Sequence, residues 1–194
     1  MSLKQRTYSV LVVSAAERVQ DSLLELLSGT RYGPVCRVCG VSAAKRMLAE
    51  RAFDFIIVNA PLADGNGVHF AMDAGNANHG VVLLLVRSDI YCETADRAAA
   101  HGVFVLSKPA ARSVVIHALA WMASARERIR LQENRTQSLE EKMAEIRAIN
   151  RAKLLLISRA HMDEAQAHRC IEKQAMDRCV TRKRIAEEII ETLA

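Results

Sequence analysis

Apolar positions in this chain follow two rhythms, and the change between them comes once. Up to residue 109, short runs of Val, Ile and Leu alternate with stretches whose apolar residues recur every three or four positions. Residues 8–13, 53–58 and 81–86 are apolar at nearly every position, the pattern of parallel strands covered on both faces. Residues 34–38 and 103–106 predict two further strands. Residues 17–27 place Val19, Leu23, Leu26 and Leu27 on one helical stripe. Residues 42–51, with Ser42 as N-cap, 68–73 and 91–101 predict three more helices. The turn-rich residues 61–67, then Gly102, then Ser107-Lys108-Pro109 punctuate the series. Five strand–helix repeats predict an α/β fold: a parallel five-stranded sheet with helices on both faces and ligand chemistry at the strand C-terminal ends.

Beyond Pro109 there is neither Gly nor Pro, and beyond Trp121 no aromatic residue. A breaker-free stretch rich in Ala, Arg, Glu, Leu and Ile predicts helix throughout. From residue 110 the fifth helix runs on to about 159, roughly 75 Å at about 1.5 Å per residue. Met122, Ala125, Ile129, Leu139, Met143 and Ile146, with the polar Gln132, Thr136 and Asn150, form a heptad seam flanked by charges such as Arg126, Glu127 and Arg130. Such a seam predicts a parallel homodimer through a coiled coil; the other solution is a helix folded back on its own domain. Residues 149–193 divide into three helices, the second capped by Asp163 and the third starting near Thr181. The expected organisation is an α/β domain over 1–121, a coiled-coil connector over 122–148 and a small all-α domain over 149–194.

Composition narrows the function classes. The chain has 194 residues, 27 Lys or Arg against 22 Asp or Glu, and a net charge of +5, a mild basic excess compatible with nucleic acid. No apolar run approaches the roughly 18 residues of a membrane span, and the N-terminus lacks an apolar signal core. Five widely spaced cysteines do not make a disulfide framework, and with these features they fit the cytoplasm. Cys36 and Cys39 form a lone CxxC in a strand, a poor setting for redox or zinc use. No Gly-rich phosphate loop, nucleophile triad or clustered metal ligands occur; His161, Asp163 and His168 are scattered. The chain is therefore expected not to be an enzyme and to need no metal or cofactor.

Over residues 5–125, strand order and turns resemble a response-regulator receiver domain, a flavodoxin-like fold. The carriers are Val10 to Val13, the run from Phe53 through Asn59 to Gly67, and the pair Lys108-Pro109. The resemblance implies a phosphorylation pocket, but its chemistry is missing. The acidic Mg²⁺-holding positions after the first strand are Ser14, Ala15 and Ala16, and the phospho-accepting aspartate falls on Asn59. An amide offers no nucleophile toward phosphorus and no charge for Mg²⁺. The hydroxyl expected at the end of the fourth strand is absent from Leu84, Leu85 and Val86, and the aromatic switch falls on Val105. Ser14, Ala15, Asn59 and Lys108 thus make a degenerate receiver pocket, with Lys108 left only a backbone carbonyl or Asn59 to pair with. The pocket is either a remnant of the fold or a fixed state open to another ligand. Asp64 could be a substitute acceptor, but its place in an Asp-Gly turn favours a turn-forming role.

The C-terminal segment resembles the ANTAR domain. Residues 149–159 look like its opening helix, Asp163 to His168 the start of its second, Gln174-Ala175-Met176 its Ala-Met pair, and Arg184 to Ile190 its closing helix. Receiver, coiled coil and ANTAR domain in that order resemble the AmiR/NasT transcription antiterminators. That implies binding of small stem-loops in nascent leader RNA, and control by a regulatory protein or ligand rather than by phosphorylation. One departure is His161-Met162, where the family often has Gly. From Asn150 onward nine Lys or Arg face seven acids, and charge alone favours a solvated helical face over RNA. With no aromatic residue there, base stacking would fall to Arg or to His168. Lys153, Arg169, Lys173, Arg178 and Arg182 are the expected RNA-binding residues, whereas Ala152, Ala167, Ala175, Met176 and Ala186 are expected to pack the bundle. The competing readings are a signalling module whose C-terminal helices dock a partner protein and, behind it, a DNA-binding regulator.

Overall fold

The computed structural model describes residues 6–29, 31–77 and 80–193. In chain order the elements are β1 (Tyr8–Ser14), α1 (Glu17–Leu27), β2 (Tyr32–Val38), α2 (Val41–Glu50), β3 (Phe55–Asn59), α3 (Gly67–Asn76), β4 (Val81–Arg87), α4 (Tyr91–Ala99), β5 (Val103–Lys108), α5 (Arg112–Ala160), α6 (Glu164–Asp177) and α7 (Arg182–Leu193). The strands form one parallel sheet in the order β2-β1-β3-β4-β5. The chain divides into two compact units, residues 1–129 and 130–194.

The unbroken apolar runs have a direct cause in the first unit. Side chains alternate across a strand, so each central strand feeds two cores. Leu11, Val13, Ile56, Val58, Val82 and Leu84 pack on one face with residues of α2, α3 and α4. Val10, Val12, Phe55, Ile57, Leu83 and Leu85 pack on the other with Leu23 and Leu27 of α1 and Val115, Leu119 and Met122 of α5. Met122 is fully buried there, and Ala125 and Ile129 pack against the same cluster. The first three positions of the expected seam are thus taken up inside their own unit, which runs past Trp121 to Ile129. Only from Gln132 onward is the heptad stripe open, with Leu139, Met143 and Ile146 exposed.

Two local expectations need correction. Helix α3 continues to Asn76, beyond residue 73, and Asn66 caps it by accepting from the backbone N–H groups of Val68 and His69. Ser42 does not cap α2. The helix starts at Val41 with Gly40 at the N-cap, and the Asp64 carboxylate accepts from the backbone N–H groups of Val41 (2.8 Å) and Ser42 (2.9 Å). A Cβ on Gly40 would lie 2.3 Å from Asp64 Oδ1, so glycine there makes room for the distant cap. Those two hydrogen bonds hold the Asp64 carboxyl below its ordinary range. A depressed native pKa contributes stability above the unfolded value, about 3.9. The melting-temperature gap between wild type and Asp64→Ala is therefore expected at neutral pH and to close as pH falls below about 4. A gap that persists in acid would overturn this assignment.

In the second unit, Ala152 and Leu156 of α5, Ala167, Ile171 and Ala175 of α6, and Ile185, Ala186 and Ile189 of α7 form the core. Buried alanines let the three helices approach closely. Met176 departs from expectation: it is 78% exposed, because it lies off the stripe of Ala167, Ile171 and Ala175. Helix α6 opens on a reciprocal capping box, with Gln166 N donating to Asp163 Oδ1 (2.7 Å) and Asp163 N to Gln166 Oε1 (3.1 Å). Helix α5 ends on His161 at φ 54°, with Met162 N donating back to Leu156 O. Glycine adopts that left-handed geometry without a Cβ penalty. His161→Gly is accordingly expected to stabilise the second unit by about 1 kcal/mol, read as a raised urea midpoint. A lowered midpoint would contradict it.

Candidate functional site

Strand order reverses around β1 and β3, and parallel sheets open a crevice at the carboxyl ends of such strands. Ser14 ends β1, Asn59 ends β3 and Lys108 ends β5, so the fold brings three of the four expected pocket residues together. Asn59 Nδ2 donates to Ser14 Oγ (2.9 Å), and Lys108 Nζ donates to Asn59 Oδ1 (2.8 Å) and to the Ala60 carbonyl. Ser14 Oγ also accepts from Ala16 N at 3.2 Å. Both ends of the Asn59 amide are therefore engaged, and Ser14 and Asn59 are buried. Ala15 is exposed and adds no ligand atom. Among the described residues the acceptors of Lys108 are neutral; burial and then the charge of Arg87 push its ammonium pKa down. Arg87 ends β4 in register with Lys108 and was not among the expected pocket residues. Its signal in the sequence is slight, a lone charge closing an apolar strand. Among the described residues no group of three or more His, Cys, Asp or Glu side chains is placed to hold a metal ion.

The five expected RNA-binding residues separate into two sets. Lys153 and Arg182 line one groove of about 480 Å³ with Lys142, Asn150 and His168. Both are already paired: Lys153 Nζ lies 3.0 Å from Glu164, and Arg182 lies 3.6 Å from Glu172 and 3.9 Å from Glu145. Arg178 holds Glu188 at 2.5 and 3.2 Å, and this hydrogen bond, with that from Arg184, keeps the Glu188 carboxyl below its usual range. Arg169 and Lys173 differ. They are exposed, one helical turn apart on α6, and neither makes an ion pair or side-chain hydrogen bond among the described residues. Met176 continues their stripe. Of the five expected residues, the two free to meet an anion among the described residues thus lie on the outer face of α6, opposite its buried stripe of Ala167, Ile171 and Ala175.

Comparison with known proteins adds to this geometry. Residues 137–190 match the ANTAR domain. Over 185 residues the chain is 26% identical to the transcriptional regulatory protein PdtaR of Mycobacterium tuberculosis, from both the CDC 1551 and H37Rv strains, covering 95% of this chain and 90% of that one. The fold is similar to the receiver domain of an HD-domain protein from Pseudomonas fluorescens (22% identity, TM-score 0.58, 67% of this chain and 96% of that one). It is also similar to the adenylate cyclase structure from Rhodopirellula baltica (16%, 0.61, 68% and 98%) and to CheY4 of Vibrio cholerae (18%, 0.52, 60% and 98%). At these identities the structural likeness is one of fold alone. No helix among the described residues is long and apolar enough to cross a membrane.

Proposed function

We propose, from the premise that this is a receiver-fold protein whose residues 137–190 form an ANTAR domain, that it binds RNA stem-loops in nascent leader transcripts as a non-enzymatic cytoplasmic antiterminator. The observation that carries the reading is the outer face of α6, where Arg169 and Lys173 stand exposed with no partner among the described residues. Phosphate contacts from such cations supply affinity and make it salt-dependent. The open part of the α5 stripe, Leu139, Met143 and Ile146, serves as the seam of a parallel dimer. Pairing two copies presents two α6 faces, one for each of two hairpins.

The receiver unit in this reading is a scaffold not driven by phosphoryl transfer, because Asn59 is an amide whose two ends are held by Ser14 and Lys108. Incubated with labelled acetyl phosphate and Mg²⁺, the full chain is expected to take up no label; stoichiometric uptake would end this part of the proposal.

A second reading has its own support. Leu154 and Met176 are 66% and 78% exposed, apolar surface of the kind that docks a protein. Filter binding of the full chain to hairpin RNA across a salt series separates the two. The RNA reading requires binding at low salt that falls steeply as salt rises. Absence of binding at low salt would favour the docking module, and equal competition by duplex DNA would favour a DNA-binding regulator.

A further inference from the structure

A groove of about 660 Å³ opens between α1 and α5 beside the carboxyl ends of β4 and β5. That volume lies within the roughly 300–1,000 Å³ of ordinary small-molecule sites, which combine apolar walls with a few convergent polar groups. Leu23 and Leu26 of α1, Leu85 of β4 and Val115 of α5 supply the apolar wall. Two cations, Lys108 and Arg112, line the same groove. One acid, Glu25, also lines it and sits 3.3 Å from Arg112. That pair is loose: its side chains are 60% and 71% exposed, so solvent screens it and Arg112 can exchange partners at little cost. Lys108 is in another situation. It donates to an amide and a backbone carbonyl, and neither neutralises its charge. A partly buried ammonium with neutral acceptors only is poorly compensated, and a carboxylate would correct that.

We propose that this groove binds a small amphipathic carboxylic acid, its hydrocarbon chain along Leu26 and Val115 and its carboxylate facing Lys108 and Arg112. The groove belongs to the first unit, and its ligand does not depend on RNA binding. Because Lys108 also holds Asn59, a carboxylate at Lys108 acts directly on the contact that closes the receiver pocket.

The probes are octanoate, 1-octanol and octylamine, which share a chain and differ in head group. Each is titrated into the full-length protein, followed by two-dimensional NMR of backbone and Asn side-chain amides. Octanoate is expected to bind about tenfold or more tighter than octanol, and octylamine not at all. Octanoate alone is expected to move the Asn59 side-chain resonances. Lys108→Met should cut the preference for octanoate over octanol severalfold, and Leu26→Glu should abolish binding of both. Should Lys108→Met fail to fold, Arg112→Gln, on the exposed rim, is expected to cut the octanoate preference severalfold. Equal binding of octanoate and octanol would overturn the proposal and leave an apolar surface fit for a peptide. Preference for octylamine, or no binding by any probe, would overturn it as well.

Discussion

Replacing Arg169 and Lys173 together by alanine is expected to weaken hairpin RNA binding by about 30-fold near physiological salt. Each cation on an exposed helix face contributes roughly 1 kcal/mol through a charge-assisted phosphate contact, and about 2 kcal/mol corresponds to about 30-fold. The salt dependence carries the sharper signature. If each residue meets one single-stranded loop phosphate, the slope of log affinity against log salt falls by about 0.7 per contact, so the double variant loses about 1.4. A change that merely disturbed the fold would not lower the slope by that amount. Arg178→Ala should cost less, because Arg178 is engaged with Glu188 in the free protein and a phosphate must first displace that pair. Neither Arg169 nor Lys173 is buried, so circular dichroism and the melting transition should stay at wild-type values. A double variant that binds as wild type at every salt concentration would remove α6 from the interface.

Arg126→Ala is expected to destabilise the first unit by about 3 kcal/mol and lower its melting temperature by roughly 10 °C. Arg126 Nε lies 3.0 Å from Asp54 Oδ1, and the two side chains are only 17% and 12% exposed. The other Asp54 oxygen accepts from Ser9 N (3.0 Å) and Ser9 Oγ (3.1 Å). The pair thus ties α5 to the start of β3 and, through Ser9, to β1. Truncating the arginine removes the Arg126 Nε hydrogen bond from a shielded carboxylate, which costs far more than losing an exposed pair. The neighbouring Arg6–Glu127 pair gives the contrast: at 62% and 34% exposed it is worth little, and Arg6→Ala should leave the transition within about 2 °C. Replacing both partners with Asp54→Asn and Arg126→Met should cost less than the sum of the single changes, since the two residues interact directly. A transition unmoved by Arg126→Ala would show that the pair does not hold α5 down.

The order of elements was legible in the sequence because doubly buried strands must be apolar at every position and helices on their faces must show a stripe. Residues 8–13, 53–58 and 81–86 have no other economical reading. The departure from the receiver's acidic positions was equally legible, since it is a matter of side-chain identity at Ser14, Ala15 and Asn59 rather than of geometry. The capping of α6 by Asp163 was local and readable for the same reason.

Contacts between residues far apart in the chain were not. Asp64 reads as a turn residue, yet it caps α2 more than twenty positions earlier, because the loop after β3 passes over a helix start that has only glycine. Met122, Ala125 and Ile129 carry a seam's spacing, but spacing does not say whose surface fills the seam, and their own core claims them. Arg126 reads as one of the charges flanking that seam; the fold half-buries it against Asp54. Among the basic residues of the tail, sequence gives charge but not pairing, so Lys153, Arg178 and Arg182 look the same as Arg169 and Lys173 until the acids folded against them are seen. Periodicity and residue identity are properties of the chain itself and determined the elements and which side chains stand at the ends of β1 and β3. Which charges are already answered depends on distances across the fold, and these exist only once the helices have packed.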